Sequence, residues 1–351
     1  MKRIAVIPGD GIGIDVTREA VKVMEASQKQ FDLQLRIQQF DWGAERYLRD
    51  GVSMPAGGLD MLKNEFDAIF VGALGDPRIP DMRHAAEILL GMRFGLDLYA
   101  NVRPVRLIHK KLTPLKDREE KDIQFVVFRE NTEGAYVGMG GFFKKGTPDE
   151  LAIQEEVHTR KGVERIIVYA FEYARQNSLK KVCMSDKSNV MRYGHDLWQR
   201  VFKEVGARYP EIESSHLYVD ALTMQMIKNP AQFQVIVTNN MFGDIVTDLG
   251  AALQGGLGIA ASGNINPEVT SMFEPVHGSA PKYAGKNVAN PLGAILTTAM
   301  MFEHLGLSQA SRRIEEAVKR SIEENFTTPD IGGKEGTRQV GDWVAGHLHA
   351  A

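Results

Sequence analysis

The sequence predicts an α/β protein built from two domains. Its 351 residues exceed the roughly 250–300 at which a single hydrophobic core stops growing. Short apolar strand signals alternate with segments of helical spacing from end to end, the pattern of an α/β architecture. Apolar residues make up 43% and charged residues 25%. These are values of an ordinary globular chain and argue against disorder, collagen and a disulfide-stapled miniprotein.

Arg3–Ile7 reads as a buried strand, followed by a glycine loop at Gly9–Gly13. Asp15–Gln28 has helical spacing, with Val16, Ala20, Val23 and Met24 on one side. Leu33–Phe40 alternates like a strand, Gly58–Asn64 is helical, and Ala68–Val71 is a short apolar strand ending in Gly72. The middle of the chain carries strand signals at Ile123–Phe128, Lys181–Ser185, Ser215–Val219 and Val235–Thr238, and helices at Val163–Gln176 and His195–Val205. Near Gly134–Lys145 the pattern breaks into glycine and aromatic residues, which predicts an exposed excursion or arm. An apolar helix, Pro291–His304, and a charged amphipathic one, Gln309–Glu324, close the pattern. There is no internal repeat and no low-complexity tract.

Lys and Arg total 42 against 45 Asp and Glu, a net charge of −3. No positive excess calls for a nucleic-acid backbone or an anionic membrane. A local arginine cluster can still sit inside a balanced total, so small anionic ligands stay open. The single cysteine, Cys183, forms no intramolecular disulfide and anchors no zinc set. It lies in the apolar run Lys181–Met184 and reads as a buried structural thiol in a cytoplasmic protein. The N-terminal apolar run is too short for a signal peptide. The longest uncharged stretch, Leu249–Pro267, holds five glycines with Gln254, Ser262, Asn264 and Asn266. A membrane span needs about 20 mostly apolar residues, so this is not one.

Four groups of residues bear on chemistry. The loop Gly9-Asp10-Gly11-Ile12-Gly13 follows a strand and precedes a helix, but its spacing is G-x-G-x-G with Ile14 next. That is either a tight turn or a ligand-facing loop, and it does not establish a Rossmann fold. Asp244 and Asp248 are four apart, so a helix sets them on one face about 5–6 Å apart at Cβ. Two like charges there oppose the helix unless neutralised, and Mg²⁺ or Mn²⁺ would do so through oxygen ligands. The alternative is a solvated helix face with an aspartate near the dipole. Asp220 ends the strand Leu217–Val219, and ligands of open α/β sheets bind at strand carboxyl ends. Arg93, Arg103 and Arg129 each adjoin an apolar or strand-like stretch; together they can clamp carboxylates, and singly each reads as an ion-pair arginine. Lys187, following the strand Val182–Ser185, is a candidate base, and Tyr136 a candidate acid. Either taken alone also reads as structural.

In this order the segments resemble the β-decarboxylating dehydrogenases, the family of 3-isopropylmalate, isocitrate, homoisocitrate, tartrate and D-malate dehydrogenases. The landmarks are IPGDGIG (7–13), MRFGLDLYANVRPVRL (92–107), VVFRENTEGAYVG (126–138), SDKSNV (185–190), YVDALTM (218–224), VTNNMFGDIVTDL (237–249) and FEPVHGSAPKYAGKNVANP (273–291). They span essentially the whole chain. The resemblance implies a two-domain isopropylmalate/isocitrate dehydrogenase-type fold, not a nucleotide-binding Rossmann fold. A cofactor domain would take 1–98 plus 255–351, and a central domain, 99–254, the metal aspartates and a dimer arm. It also implies a homodimer with shared active sites, or a higher oligomer, acting on a small hydroxy acid.

By position, the resemblance gives Arg93, Arg103 and Arg129 to the substrate carboxylates. It gives Asp220, Asp244 and Asp248 to Mg²⁺ or Mn²⁺, with Asp220 also meeting substrate. Asp220 and Lys187 come from the neighbouring subunit; Lys187 takes the hydroxyl proton and Tyr136 protonates the enol. Cofactor contacts fall on Ile12, Glu274, His277, Gly278, Ser279, Ala280, Pro281, Lys282, Tyr283 and Asn290. Relatives that use NAD carry Asp and a branched apolar residue where this chain has Lys282 and Tyr283. That pair resembles NADP-dependent bacterial isocitrate dehydrogenases, since a cation matches a 2′-phosphate. The segment Thr328–Gly333 lacks the further Tyr and Arg of those enzymes, and the family habit for isopropylmalate is NAD. The expectation is NAD or NADP, leaning to NADP. Isocitrate enzymes place Ser and Asn just before the first arginine; here Ile88, Leu89 and Leu90 stand there. An apolar wall suits an isopropyl group, unless these residues only pack a helix core. 3-Isopropylmalate therefore leads, with leucine biosynthesis as its setting. Tartrate or D-malate follows, then isocitrate or homoisocitrate. A regulatory subunit is the non-enzymatic alternative, but such relatives lose catalytic positions and here all eight are occupied by the expected types.

Overall fold

The computed structural model describes residues 1–349. The chain folds as two compact units. Unit 1 comprises Met1–Leu98, Arg103–Ile123 and the chain from Ala251 on; unit 2 comprises Tyr99–Val102 and Gln124–Gly250. Residues 103–123, which the sequence reading groups with the central domain, fold with unit 1. In chain order the strands are β1 (Lys2–Gly9), β2 (Leu35–Gln39), β3 (Ala68–Ala73), β4 (Ala100–Arg106), β5 (Gln124–Glu130), β6 (Gly140–Phe143), β7 (Leu151–Gln154), β8 (Lys181–Asp186), β9 (Glu213–Tyr218), β10 (Val235–Thr238), β11 (Ala261–Ile265) and β12 (Ser271–Pro275).

In unit 1 the strand order is β2-β1-β3-β12-β11, parallel except for the β11–β12 pair. Ile4–Ile7 and Ala68–Val71 are wholly buried, as parallel strands covered on both faces should be. One face packs Ala5, Ile7, Ile69 and Val71 against Trp42, Leu62, Phe66, Ile88 and Met92. The helices Ile12–Gln30 and Leu292–His304 lie against the sheet, and the second is apolar on nearly every side because it is buried on nearly every side. The first helix starts at Ile12, earlier than the expected Asp15. The Ile12 N–H donates to Ser279 O (2.7 Å), and Gly13, already helical, lies so close to Ala73 and Pro8 that a Cβ would stand 2.6 Å from each.

In unit 2 the order is β5-β10-β8-β9, all parallel. Thr238 pairs with Arg129 on one side and Ser185 on the other. Arg129 and the approach to Lys187 therefore sit at strand carboxyl ends, where α/β sheets hold ligands. Helices Arg160–Gln176 and Gly194–Gly206 bury Val163, Ile166, Phe171, Trp198 and Phe202. The first begins three residues ahead of the expected Val163 because Thr159 caps it, its side chain accepting from the Gly162 N–H. Cys183 is buried, which pushes its thiol up to about 11. The break near Gly134–Lys145 becomes the β6–β7 hairpin, with Phe142, Phe143, Leu151 and Ile153 all exposed.

Asp220 departs from the sequence reading. Strand β9 stops at Tyr218 and the chain turns at once into the helix Val219–Lys228, so Asp220 lies in a first helical turn rather than at a strand end. A carboxylate is favoured there by the dipole. Among the described residues no helix is long and apolar enough to cross a membrane.

Candidate active site

Three of the expected residues meet in unit 2. The helix Asn240–Gln254 is capped by Asn239, whose Oδ1 accepts the Phe242 N–H at 2.9 Å. It carries Asp244 and Asp248, as their spacing requires. Arg129, 1% exposed at the end of β5, donates from its guanidinium to Asp244 Oδ1 and from Nε to Asn240 Oδ1 (2.9 Å). Tyr136 donates its hydroxyl to Asp244 Oδ2 at 3.0 Å, and its ring centroid lies 5.1 Å from the Arg129 guanidinium carbon. The arginine reaches this position because residue 243 is glycine: a Cβ there would stand 2.5 Å from Arg129 Cβ and Cγ. Asn240 in turn donates to Glu133 O (2.9 Å), tying the helix to the turn after β5. Neither Asn240 nor the reason for Gly243 was legible in the sequence.

Lys187 and Asp220 form a second group in the same unit. Lys187 Nζ donates to Asp220 Oδ1 at 2.6 Å, and this bond holds the exposed Asp220 carboxyl below the usual range. Before the lysine, Asp186 is buried; hydrogen bonds from His216, the Ser188 N–H and Gln199 outweigh the desolvation and lower its carboxyl. A third group, absent from the sequence reading, is Glu156, His158 and His195, whose donor atoms lie within 4.8 Å of one another.

In unit 1, Arg93 donates to Glu274 Oε1 at 3.0 Å, and Asn264 donates to the same oxygen at 2.8 Å. Arg103 is 7% exposed on β4. On the helix Arg83–Gly95, Ile88 is wholly buried in the core, Leu89 packs partly against it, and Leu90 is half-buried. The glycine loop meets the 279 segment: Gly11, in the left-handed region, would set a Cβ 2.1 Å from Ser279 O. After Ala280 a short turn, Pro281–Tyr283, exposes Lys282 and Tyr283, with the amine 4.7 Å from the ring centroid.

The family model for isocitrate/isopropylmalate dehydrogenase matches residues 3–344. The chain belongs to the isocitrate/isopropylmalate dehydrogenase family. It is an oxidoreductase, as the sequence reading expected. It is 47% identical over 345 residues to the 3-isopropylmalate dehydrogenase of Thermobifida fusca (strain YX), covering 98% of this chain and 96% of that one. It is 42% identical over 345 residues to a probable tartrate dehydrogenase/decarboxylase of Agrobacterium vitis, covering 97% and 96%. The crystal structure of isocitrate dehydrogenase from Methylococcus capsulatus matches with a TM-score of 0.90 at 38% identity, covering 100% of both chains. The two-domain dehydrogenase-type fold expected from the sequence is the fold found.

The residues of this dehydrogenase fit both groups its family uses. The Asp244 side chain is 44% exposed and Asp248 is exposed on the same helix; both carry the hard oxygen donors that a divalent cation takes. In the 277–283 segment the His277 ring is buried, which lowers its pKa and keeps it neutral. Its Nδ1 faces Gly278 O at 3.1 Å, so Nδ1 carries the proton, and Nε2 is left as a buried acceptor without a partner. An orphaned buried acceptor costs stability unless a donor arrives, as a bound dinucleotide would supply. Asn290 is engaged within the protein: its Oδ1 caps the helix Leu292–His304 at the Leu292 N–H (3.0 Å), and its Nδ2 donates to Asp330.

Proposed function

We propose that this dehydrogenase converts (2R,3S)-3-isopropylmalate to 4-methyl-2-oxopentanoate and CO₂, reducing a nicotinamide dinucleotide, in leucine biosynthesis. The convergence of buried Arg129 and Tyr136 on Asp244 carries the reaction class. It sets a carboxylate-binding cation, a proton donor and a cation ligand around one point. Arg129, with Arg93 and Arg103, takes the substrate carboxylates. Asp244 and Asp248, with Asp220 of a second copy, would hold Mg²⁺ or Mn²⁺, which when bound polarises the substrate oxygens as a Lewis acid. Lys187 of that second copy would accept the C2 hydroxyl proton at Nζ, and a bound nicotinamide would supply the hydride acceptor for C2. The β-carboxylate then departs as CO₂, and Tyr136 Oη gives its proton to the enolate carbon.

The dimer is supported by the β6–β7 hairpin, whose Phe142, Phe143, Leu151 and Ile153 are each at least half exposed; such a patch marks an interface. The substrate is supported by Leu89 and Leu90, which are apolar and incompletely buried. Lys282, exposed beside Tyr283, supports NADP as the dinucleotide over NAD. A second reading, tartrate or D-malate, is favoured by the similarity to probable tartrate dehydrogenases along nearly the full chain. Turnover of 3-isopropylmalate, isocitrate, homoisocitrate, tartrate and D-malate, each with NAD and with NADP, separates them. The highest kcat/KM is expected for 3-isopropylmalate, and a preference for tartrate or isocitrate overturns the substrate assignment.

A further inference from the structure

The cluster of Glu156, His158 and His195 takes no part in the chemistry above, and its atoms lie close enough to suggest a metal. Nδ1 of each ring is already engaged by a hydrogen-bond donor. Nδ1 of His195 accepts the backbone N–H of Lys187 at 2.7 Å, and Nδ1 of His158 accepts the indole N–H of Trp198 at 3.2 Å. Both of those groups can only donate. The other ring nitrogens lie beside Glu156, Nε2 of His158 at 3.2 Å and Nε2 of His195 at 3.5 Å. A metal needs a neutral imidazole nitrogen with its lone pair free. Glu156 and the two imidazoles form a buried polar brace, in which Asn239 Nδ2 donates to the carboxylate at 3.0 Å.

What the brace holds is the main chain of Lys187. His195 is wholly buried, with its ring edge against Phe242 and Asn239 Nδ2 3.2 Å from its Nε2. Lys187 is partly exposed and its carbonyl closes a turn onto the Val190 and Met191 N–H groups. Its long side chain has many rotamers, so the amine finds Asp220 reliably only if the backbone below it is fixed. Glu156 also receives Asn239, the cap of the helix that carries Asp244 and Asp248. One carboxylate thus ties the Lys187 turn to that helix.

We infer that His195 is a positioning residue for Lys187, fixing through Nδ1 the main chain from which the amine reaches Asp220. The inference rests on the proposal that Lys187 is the base. Two amide substitutions test it. His195→Asn keeps an acceptor oxygen where Nδ1 stands. His195→Gln carries its amide out to the Nε2 position and loses that acceptor, while filling more of the ring's volume. Turnover on the best substrate of the panel is expected to fall at least about tenfold in His195→Gln and less than about threefold in His195→Asn, with KM for the hydroxy acid little changed. A residue that only fills space gives the reverse order, because Asn leaves the larger cavity, and that order overturns the inference.

Hydrogen–deuterium exchange of the peptide 186–190 gives a readout independent of activity. The Lys187 amide should be protected in wild type and His195→Asn and exchange freely in His195→Gln; equal protection overturns the inference. If His195→Gln does not fold, folded His195→Asn decides alone, and turnover below about a tenth of wild type overturns it. Lys187→Met, assayed alongside, separates the two failures. An active Lys187→Met removes the base assignment itself, whereas inactive Lys187→Met beside fully active His195→Gln removes only the positioning role.

Discussion

Gly243→Ala probes unit 2 at its tightest point. Residue 243 lies inside the helix Asn240–Gln254, where alanine is intrinsically favoured over glycine by roughly 0.5–1 kcal/mol. Against this, an added Cβ would stand 2.5 Å from both Cβ and Cγ of Arg129 and 3.1 Å from Cδ. Comfortable carbon contacts lie at about 3.5–4.0 Å, so the two elements must separate by about 1 Å. The stem cannot swing away: its contacting atoms are those nearest the β5 backbone, and Arg129 is 1% exposed. Overpacking costs about 1–3 kcal/mol, so the net loss of stability is roughly 0–2.5 kcal/mol, a drop of a few degrees in Tm. The functional loss is larger, since a misplacement of about 1 Å costs on the order of a hundredfold. Steady-state kinetics on the best hydroxy acid, with a thermal melt, should show kcat/KM down about a hundredfold in a folded enzyme. A variant with wild-type kcat/KM and a raised Tm would refute the reasoning that this glycine exists to admit Arg129.

Asp244→Asn should lower turnover by orders of magnitude in a folded protein, and excess chelator should do the same to wild type; full activity in chelator removes the metal assignment. Mixing inactive Lys187→Ala and Asp244→Asn chains should restore activity, because one site of the heterodimer receives both defects and the other neither. Confirmed subunit exchange without recovery would show that sites are not shared. Lys282→Asp with Tyr283→Ile should shift the kcat/KM ratio toward NAD. A charge-assisted contact of about 1.5–3 kcal/mol sets a ceiling of roughly ten- to a hundredfold, reduced by the exposure of Lys282; an unchanged ratio shows that Lys282 does not read the phosphate. Burial alone would raise the Glu156 carboxyl, but the polar and electrostatic pull of His158 and His195 beside it holds it at about 2 against an ordinary 4.5. A depressed carboxylate stabilises above its unfolded pKa and loses that contribution as pH falls. The Tm gap between wild type and Glu156→Gln should therefore be full above about pH 5 and shrink between about 4.5 and 2; a gap that widens on acidification contradicts the brace.

The fold was legible where local signals suffice. Val235–Thr238 is a strand at the bounds the apolar run sets, because a parallel strand buried on both faces needs apolar residues at every position. Boundaries failed where distant chain decides them. Gly13 enters a helix that its own propensity disfavours, because only a glycine fits beside Ala73 and Pro8. Asp220 read as a strand end because Leu217–Val219 is apolar, yet the sheet pairing runs out at Tyr218 and the helix begins with no polar cap.

The candidate residues show the same division. That Asp244 and Asp248 share a helix face follows from their spacing alone, and so does the repulsion between two such charges. Which group opposes them does not follow. In the folded chain Arg129 answers Asp244 from 115 residues away, and Tyr136 from 108, separations that no pattern along the sequence encodes. Ile88, Leu89 and Leu90 look alike as letters, but the helix turns the first into the core and leaves the third half-buried, so only some of that apolar wall is free to select a substrate. Glu156, His158 and His195 are the extreme case. Their residue types invite a metal, yet Nδ1 of each ring already accepts an N–H group, of Lys187 in one and of Trp198 in the other. Residue identity narrows the chemistry a site can perform; the direction of its hydrogen bonds decides among what is left.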